Sequence, residues 1–210
     1  MNQHISELFK DQELISKVQN KLPRLFQLAE LESSRAGRVG MEVGSARERI
    51  LIALLIYKFG ESNVETEITI TEPEVDVRLF SKPISIKTVT GKNFNSVKLI
   101  WTVDAEQSLK FSQHYQPSCD MLLARINWED TGGLYYFPQE AQVKLLNQMG
   151  RENYIKLPKA GTNPRGVEIT ANALRELANH HKALHIPVYW SKAVINFQPY
   201  QRWLELWEQE

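Results

Sequence analysis

The chain has 210 residues, of which 42% are hydrophobic and 24% charged, and its 25 acidic and 25 basic side chains give a formal net charge of zero. This length and composition suit one domain with a sizeable core, and the charge balance argues against a protein that coats nucleic acid through bulk charge, although a local basic cleft stays compatible with it. Cys119 is the single cysteine, which excludes an intramolecular disulfide and a cysteine-rich zinc site.

The first third of the chain has helical spacing of its apolar residues. Residues 5–31 predict two helices separated at Pro23, because proline interrupts a helix interior. A loop with three glycines, residues 35–44, follows. Residues 45–60 predict a strong helix with Ser45 as N-cap, Glu48 completing a capping box and Gly60 ending the helix.

Extended segments dominate the middle of the chain. Residues 65–70, 74–80 and 83–89 predict three strands joined by short turns, and neighbours this close favour antiparallel pairing. A polar loop (92–98) and a helix (99–115) come next, followed by strands at 119–129 and 134–138. Helices are predicted at 139–150 and 169–184, with a last strand at 186–190. This order indicates an α/β or α+β domain with a mixed central sheet flanked by helices.

Alternation along two of these strands separates apolar from polar side chains. Ile84 and Ile86 point to one face of the sheet, whereas Ser85 and Lys87 point to the other. Asp76, on the preceding strand, belongs to the polar face together with Glu74. A solvated ion pair between Asp76 and Lys87 would explain the pattern, and so would a catalytic site.

Asp76 followed nine residues later by Ser-Ile-Lys, with a helix carrying Glu48 directly before the strands, resembles the PD-(D/E)xK nuclease superfamily, and most closely its type II restriction endonucleases. The resemblance covers residues 37–130 and implies a restriction-endonuclease-like core. It also implies that Asp76 binds metal and that Lys87 positions the attacking water. Ser85 stands where most members have an acid, so another carboxylate has to replace it.

Four acids are candidates for that replacement. Glu48 matches an acid that many members place on the preceding helix, and it is our first choice, although a capping box alone also explains it. Glu74 is expected to be a solvated acid at a strand edge. Asp104 and Glu106 fit first-turn acids favoured by the helix dipole. Ile86, between Ser85 and Lys87, is a further predicted metal contact.

The chemistry requires these residue types independently of the resemblance. Attack on a phosphodiester adds negative charge to its oxygens. A Mg²⁺ ion held by carboxylates offsets that charge and lowers the pKa of bound water, and a nearby ammonium group stabilises the charge further.

Three polar loops are predicted to contact DNA, although each also fits an ordinary surface loop. Arginine and glycine in the first loop suit phosphate contacts, and amide side chains suit base edges. Met41 is a candidate wedge between base steps, with a core contact as the alternative. The predicted DNA-binding residues are Arg35, Arg38, Met41, Thr88, Thr90, Lys92, Asn93, Asn95, Asn163 and Arg165.

Together these features predict a Mg²⁺-dependent type II restriction endonuclease that cuts double-stranded DNA at a short palindrome as a homodimer. A repair or junction-resolving nuclease and a non-catalytic DNA-binding module on the same core are the alternatives. We expect one domain, 1–210, with an N-terminal helical segment (1–36), a catalytic core (37–130) and a C-terminal region for DNA contact or dimerisation (131–210). A polar N-terminus and short apolar runs predict a location in the prokaryotic cytoplasm without a membrane partner, and no nucleotide cofactor is expected because no phosphate-binding loop is present.

Overall fold

A computed structural model describes residues 3–35, 38–40, 42–69, 72–100, 104–156 and 166–209. The chain begins with helices α1 (Gln3–Leu8) and α2 (Gln12–Glu32). Asp11 caps α2 by accepting a 3.0 Å hydrogen bond from the backbone N–H of Leu14. The predicted break at Pro23 is wrong, because α2 continues through Pro23, which is buried. The apolar face that α2 packs on the core outweighs the one backbone hydrogen bond that proline removes.

The glycine-bearing loop contains a small antiparallel hairpin, β1 (Ser34–Arg35) and β2 (Arg38–Val39). Helix α3 (Val43–Phe59) follows and ends at Gly60, whose φ of 84° confirms the predicted stop. Its N-cap is Glu42, which makes no side-chain capping hydrogen bond. The predicted capping box is wrong, because the helix begins before Ser45 and places both Ser45 and Glu48 inside it.

A short 3-10 turn at 61–63 leads into the strands, which form a six-stranded mixed sheet and a three-stranded one. In chain order the strands are β3 (Val64–Glu65), β4 (Val77–Leu79), β5 (Lys82–Thr90), β6 (Val97–Lys98), β7 (Asp120–Ile126), β8 (Thr131–Phe137), β9 (Ile155–Lys156), β10 (Glu168–Ile169) and β11 (Leu184–Tyr189). The large sheet has the order β11-β8-β7-β5-β4-β3, in which β5 and β7 run parallel and every other pair antiparallel.

The remaining helices are α4 (Ala105–His114), α5 (Gln139–Met149), α6 (Arg151–Tyr154), α7 (Ala171–Ala178) and α8 (Gln201–Trp207). The predicted fold class is confirmed, and so are most of the predicted elements. Several bounds differ. Within the described residues, the strand predicted at 65–70 is Val64–Glu65 and the strand predicted at 74–80 is Val77–Leu79. The loop predicted at 92–98 contains β6, the helix predicted at 99–115 begins at Ala105, and the helix predicted at 169–184 ends at Ala178.

The large sheet separates two apolar cores. Ile84 and Ile86 contribute to the core beneath α1, α2 and α3. Val89 and Leu123 contribute to the core on the opposite face, together with residues of α5 and α7 such as Leu174. Because the sheet is covered on both sides, the middle of β5 is buried, including the polar residues Ser85 and Lys87, whereas its two end residues, Lys82 and Thr90, are exposed. Within the described residues, no helix is long and apolar enough to cross a membrane.

Candidate active site

Asp76 lies where β4 and β5 separate. Its backbone N–H donates to the carbonyl oxygen of Ile84 at 3.0 Å, which is the last hydrogen bond before the strands part. Beyond that point β4 no longer pairs with β5, and the Asp76 carboxylate accepts hydrogen bonds from β5 instead. Its Oδ2 accepts from the backbone N–H of Ile86 at 2.6 Å and from Ser85 Oγ at 3.3 Å. The side chain therefore has a fixed orientation but stays 26% exposed.

Lys87 completes an ion pair on the same face of the sheet. Its Nζ lies 2.8 Å from Asp76 Oδ2, and its side chain is only 11% exposed. Ile84 and Ile86 are fully buried on the opposite face, so the predicted alternation is confirmed. The Asp76–Lys87 pair is therefore not the solvent-exposed cross-strand pair of the simpler explanation. The largely buried ammonium group of Lys87 has lost hydration, and one carboxylate replaces that hydration only in part.

Glu48 adds a second carboxylate from α3. The pKa of Glu48 is raised to about 7, chiefly by burial, while the ammonium group of Lys87 lowers this pKa and the negative charge of Asp76 raises it. The electrostatic coupling to both residues brings Glu48 into the same site. Since no capping role remains to explain this acid, its position beside Asp76 has to be explained by the site itself.

Glu74 is buried rather than solvated at a strand edge, so that expectation is wrong. It is 7% exposed and accepts hydrogen bonds from Ser118, at 3.2 Å from the backbone N–H and 2.5 Å from Oγ. Burial raises the pKa of Glu74, while the hydrogen bonds from Ser118 and Tyr115 and the charge of Lys87 lower it. Neither Ser118 nor Tyr115 was recognisable from the sequence, because a loop more than 40 residues away brings them there.

Asp104 and Glu106 have local roles in α4. Asp104 is the N-cap and accepts from the backbone N–H groups of Glu106 (2.8 Å) and Gln107 (3.2 Å). Glu106 forms an exposed ion pair with Lys110 at 2.7 Å. Both agree with the helix-terminus explanation given for them above. Of the four candidate acids, Glu48 is the one whose pKa responds to the charges of both Asp76 and Lys87.

The predicted DNA contacts fall into two groups. Arg38, Thr90, Lys92, Asn93 and Asn95 are exposed, and Thr88 is partly buried. Thr90 Oγ1 accepts from Arg47 at 3.0 Å, and Asn95 Nδ2 donates to the carbonyl oxygen of Thr90 at 3.0 Å, so these two also order the end of β5. Met41, Asn163 and Arg165 lie outside the described residues, as does the side chain of Arg35.

The donor set suits a small divalent cation. Among the described residues no group of three His, Cys, Asp or Glu side chains converges on one point. Mg²⁺ does not require one, since it keeps several waters and is commonly bound through one or two carboxylates. Asp76 and Glu48 would supply two, and a cation bound by both would offset the charge repulsion that adds, after burial, to the raised pKa of Glu48.

PD-(D/E)xK-type nucleases share this arrangement: a mixed sheet, an aspartate and a lysine paired where two strands separate, and an acid on the preceding helix. Comparison with known families agrees with this class and identifies a single family within it. The family model described as "Restriction endonuclease ThaI" matches residues 8–209. The chain therefore belongs to the ThaI family of restriction endonucleases.

A solved structure titled "Restriction endonuclease in complex with substrate DNA" is similar over nearly the whole chain. It is 54% identical, covers 97% of this chain and 98% of its own, and has a TM-score of 0.91. No match was found among curated protein sequences. The chain is thus a type II restriction endonuclease, an endodeoxyribonuclease, and the comparisons support this function over the two alternatives.

Proposed function

We propose that this endonuclease makes Mg²⁺-dependent double-strand cuts at a short palindromic sequence, acting as a homodimer in the cytoplasm of a prokaryotic cell. The catalytic part of this proposal rests on the Asp76–Lys87 ion pair, which lies where β4 and β5 separate. The charges of both residues affect the pKa of Glu48. A two-fold symmetric site is most simply cut by a two-fold symmetric protein, one strand per subunit.

Asp76 and Glu48 are the proposed metal-binding side chains. A divalent cation bound there would offset the charge that develops on the scissile phosphate and lower the pKa of bound water. Ile86 has no ligand atom in its side chain, so its proposed contact is through the backbone carbonyl. That carbonyl points to the same sheet edge as the Ile86 N–H, which donates to Asp76.

Lys87 is proposed to position the nucleophile. Its ammonium group is fixed by Asp76 and has little other freedom because its stem is buried in the sheet face. An ammonium group preorganised in this way stabilises charge on the reacting oxygens without reorganising during the reaction. Ser85 donates to the Asp76 carboxylate and is proposed to orient it rather than to bind metal.

Double-stranded DNA is the proposed substrate, since the solved relative is in complex with substrate DNA and is 54% identical to this chain. Exposed Arg38 and Lys92 suit phosphate contacts, and exposed Asn93 and Asn95 suit base contacts. Thr88 and Thr90 remain proposed contacts beside them. Arg35, Met41, Asn163 and Arg165 are kept as proposals from the sequence.

One domain, 1–210, is proposed to carry these activities, with the catalytic core at 37–130. The core beneath α2 supports this, because it combines Phe26 from the N-terminal segment, Ile84 from the catalytic core and Trp190 from the C-terminal region. The C-terminal region is proposed to serve DNA contact or dimerisation.

Removing either member of the ion pair tests the catalytic proposal. We expect Asp76→Asn, Asp76→Ala and Lys87→Ala to reduce plasmid cleavage in Mg²⁺ by at least about 100-fold, because each removes charge placed for the transition state. DNA binding in Ca²⁺ and the far-ultraviolet circular dichroism spectrum are expected to persist. Lys82→Ala, at the exposed start of the same strand, is the matched control. Full cleavage by the Asp76 or Lys87 variants would refute the assignment.

A further inference from the structure

A C-terminal arm, residues 191–209, follows β11 and ends in α8. No residue of α8 is buried, and every residue from 198 to 209 is exposed. Tyr200, Trp203, Leu204 and Trp207 recur at helical spacing and share one face, with exposures of 73%, 57%, 55% and 88%. Soluble monomers seldom leave contiguous aromatic surface of this kind uncovered, so this face has the character of an interaction surface.

An apolar groove lies between α2 and α3 on the same molecule. It has a volume of about 300 Å³ and a floor formed by aliphatic side chains, including Val18, Ile50 and Leu54. Leu25 and Tyr57 are 40% and 64% exposed at its edges. The catalytic proposal uses none of these residues, and we call this feature the α2–α3 groove.

We propose that α8 of one chain occupies the α2–α3 groove of a second copy, so that the homodimer exchanges its C-terminal arms. The inference rests on the proposed homodimer and names the surface that holds it together. Within the part of the chain that the structure describes, no element covers either apolar surface. The two surfaces have the same scale: one is a short helix face bearing aromatic side chains, and the other is a cleft between two helices.

The charges around the two surfaces are complementary. Lys17 and Lys21 line the groove, whereas Glu208 lies beside the apolar face of α8. Lys17 already contacts Glu13 and the hydroxyl of Tyr57 at the groove edge, both at 2.7 Å. A docked acidic helix would join this network, while its aromatic side chains enter the cleft.

The path of the arm favours a second copy over the chain's own groove. The arm leaves the body at Ala193, whose backbone N–H and carbonyl bond to the Gln27 side chain at 2.9 and 2.8 Å. Gln27 lies two residues beyond Leu25 on α2, a rotation of about 200° at the usual helical pitch. The arm therefore starts on the side of α2 turned away from the groove.

The area available is adequate for a stable dimer. Large aromatic side chains bury about 150–250 Å² each, so the three on each arm contribute on the order of 1,000 Å² when two arms exchange around a two-fold axis. With the groove surfaces included, this approaches the range of about 1,200–2,000 Å² that specific interfaces bury.

Sedimentation of the full chain, without DNA, tests the exchange. We expect the wild type to sediment with the mass of two chains, and both Trp203→Glu/Trp207→Glu and Ala53→Glu to sediment with the mass of one. Ala53 lines the groove but is exposed, so a charge there blocks docking without entering the core. Arg202→Glu introduces a negative charge on the side of α8 opposite the apolar stripe and serves as the matched control, expected to stay dimeric.

Cross-linking identifies which chain the arm binds. The Ala53→Cys and Leu204→Cys variants are prepared as separate chains, mixed, and treated with a short bismaleimide. The native Cys119 is buried, so the introduced cysteines are the ones that react. A covalent dimer formed only in the mixture is the expected result. A wild type of one-chain mass would overturn the homodimer and the exchange together. Arm and groove variants that remain dimeric, or a mixture that does not cross-link, would overturn the exchange alone.

Discussion

At the scale of single residues, Glu48 carries the clearest functional signal. Its pKa is raised to about 7, chiefly by burial; the charge of Lys87 lowers this pKa and that of Asp76 raises it. A carboxylate with this pKa is mostly protonated below pH 7, and it can bind a metal ion only after it loses the proton. At the proposed metal site, protonation of Glu48 and metal binding therefore compete near neutral pH.

Metal affinity is expected to follow this titration. Between pH 6 and 8 the apparent affinity of the protein for Mg²⁺ should rise about 10-fold and then level off, with about one proton released per ion bound at pH 6 and about half a proton at pH 7. Calorimetry in buffers of different ionisation enthalpy measures both quantities. Glu48→Gln should bind more weakly and without this pH dependence, whereas Glu42→Gln, an exposed acid at the helix N-cap, should behave as the wild type. A pH-independent affinity in the wild type would contradict the prediction.

The same group makes stability depend on pH. Because the folded-state pKa of Glu48 lies above its ordinary value of 4.5, its contribution to the free energy of unfolding is fully present below pH 4.5 and is lost as pH rises through 7. Glu48→Gln should therefore stabilise the metal-free protein at pH 8, by on the order of 2 kcal/mol after allowing for solvent screening, and change it little at pH 4.5. Urea unfolding at both pH values measures this, and a destabilised variant at pH 8 would be the contrary result.

At the scale of elements, a buried ion pair links the helices to the catalytic strand. Arg47 on α3 pairs with Glu30 on α2, with side-chain exposures of 7% and 12%, and also donates to Thr90 Oγ1 at the end of β5. Trp128 Nε1 donates to the same Glu30 carboxylate at 2.8 Å. This network fixes α3, and with it Glu48, relative to the strand that carries Lys87.

Breaking that pair is expected to be costly. Arg47→Met should lower the free energy of unfolding by roughly 3 kcal/mol or more, because it leaves the Glu30 charge buried without its partner. Adding Glu30→Leu should restore part of the loss, which a double-mutant cycle in urea quantifies. Lys110→Met, which removes an exposed pair with Glu106 on α4, should change stability by less than about 1 kcal/mol. Equal effects for the two single variants would contradict the assigned role.

Sequence patterns located the strands and the Asp76–Lys87 pair because alternation and turn spacing are local properties. They failed where tertiary contacts decide. Pro23 stays helical because α2 is packed on the core. Helix α3 begins at Val43, which places Ser45 inside the helix and removes the apparent capping box. The burial of Glu74 was unpredictable, since Ser118 reaches it from a distant loop.

At the scale of the whole molecule, zero net charge is compatible with DNA cleavage because the charges are segregated. Asp76, Glu48 and Glu74 concentrate acid at the strand separation, whereas Arg38 and Lys92 are exposed on loops. At the proposed site a bound cation would offset the repulsion between these acids and phosphate, and Arg38 and Lys92 would attract the rest of the DNA backbone. On this proposal, metal binding would favour both the chemistry and the productive placement of DNA.

A dimer with one disabled site tests whether each subunit cuts one strand. Wild-type and Asp76→Ala chains with different affinity tags are co-expressed, and the mixed dimer is isolated through both tags. On a plasmid with one site we expect nicked circles to accumulate and linear product to form at least about 10-fold more slowly than with the doubly tagged wild type, since the intact subunit reaches only one strand. Time-resolved gel electrophoresis separates the two products. Linear DNA appearing at half the wild-type rate, with no nicked intermediate, would show that a single subunit cuts both strands.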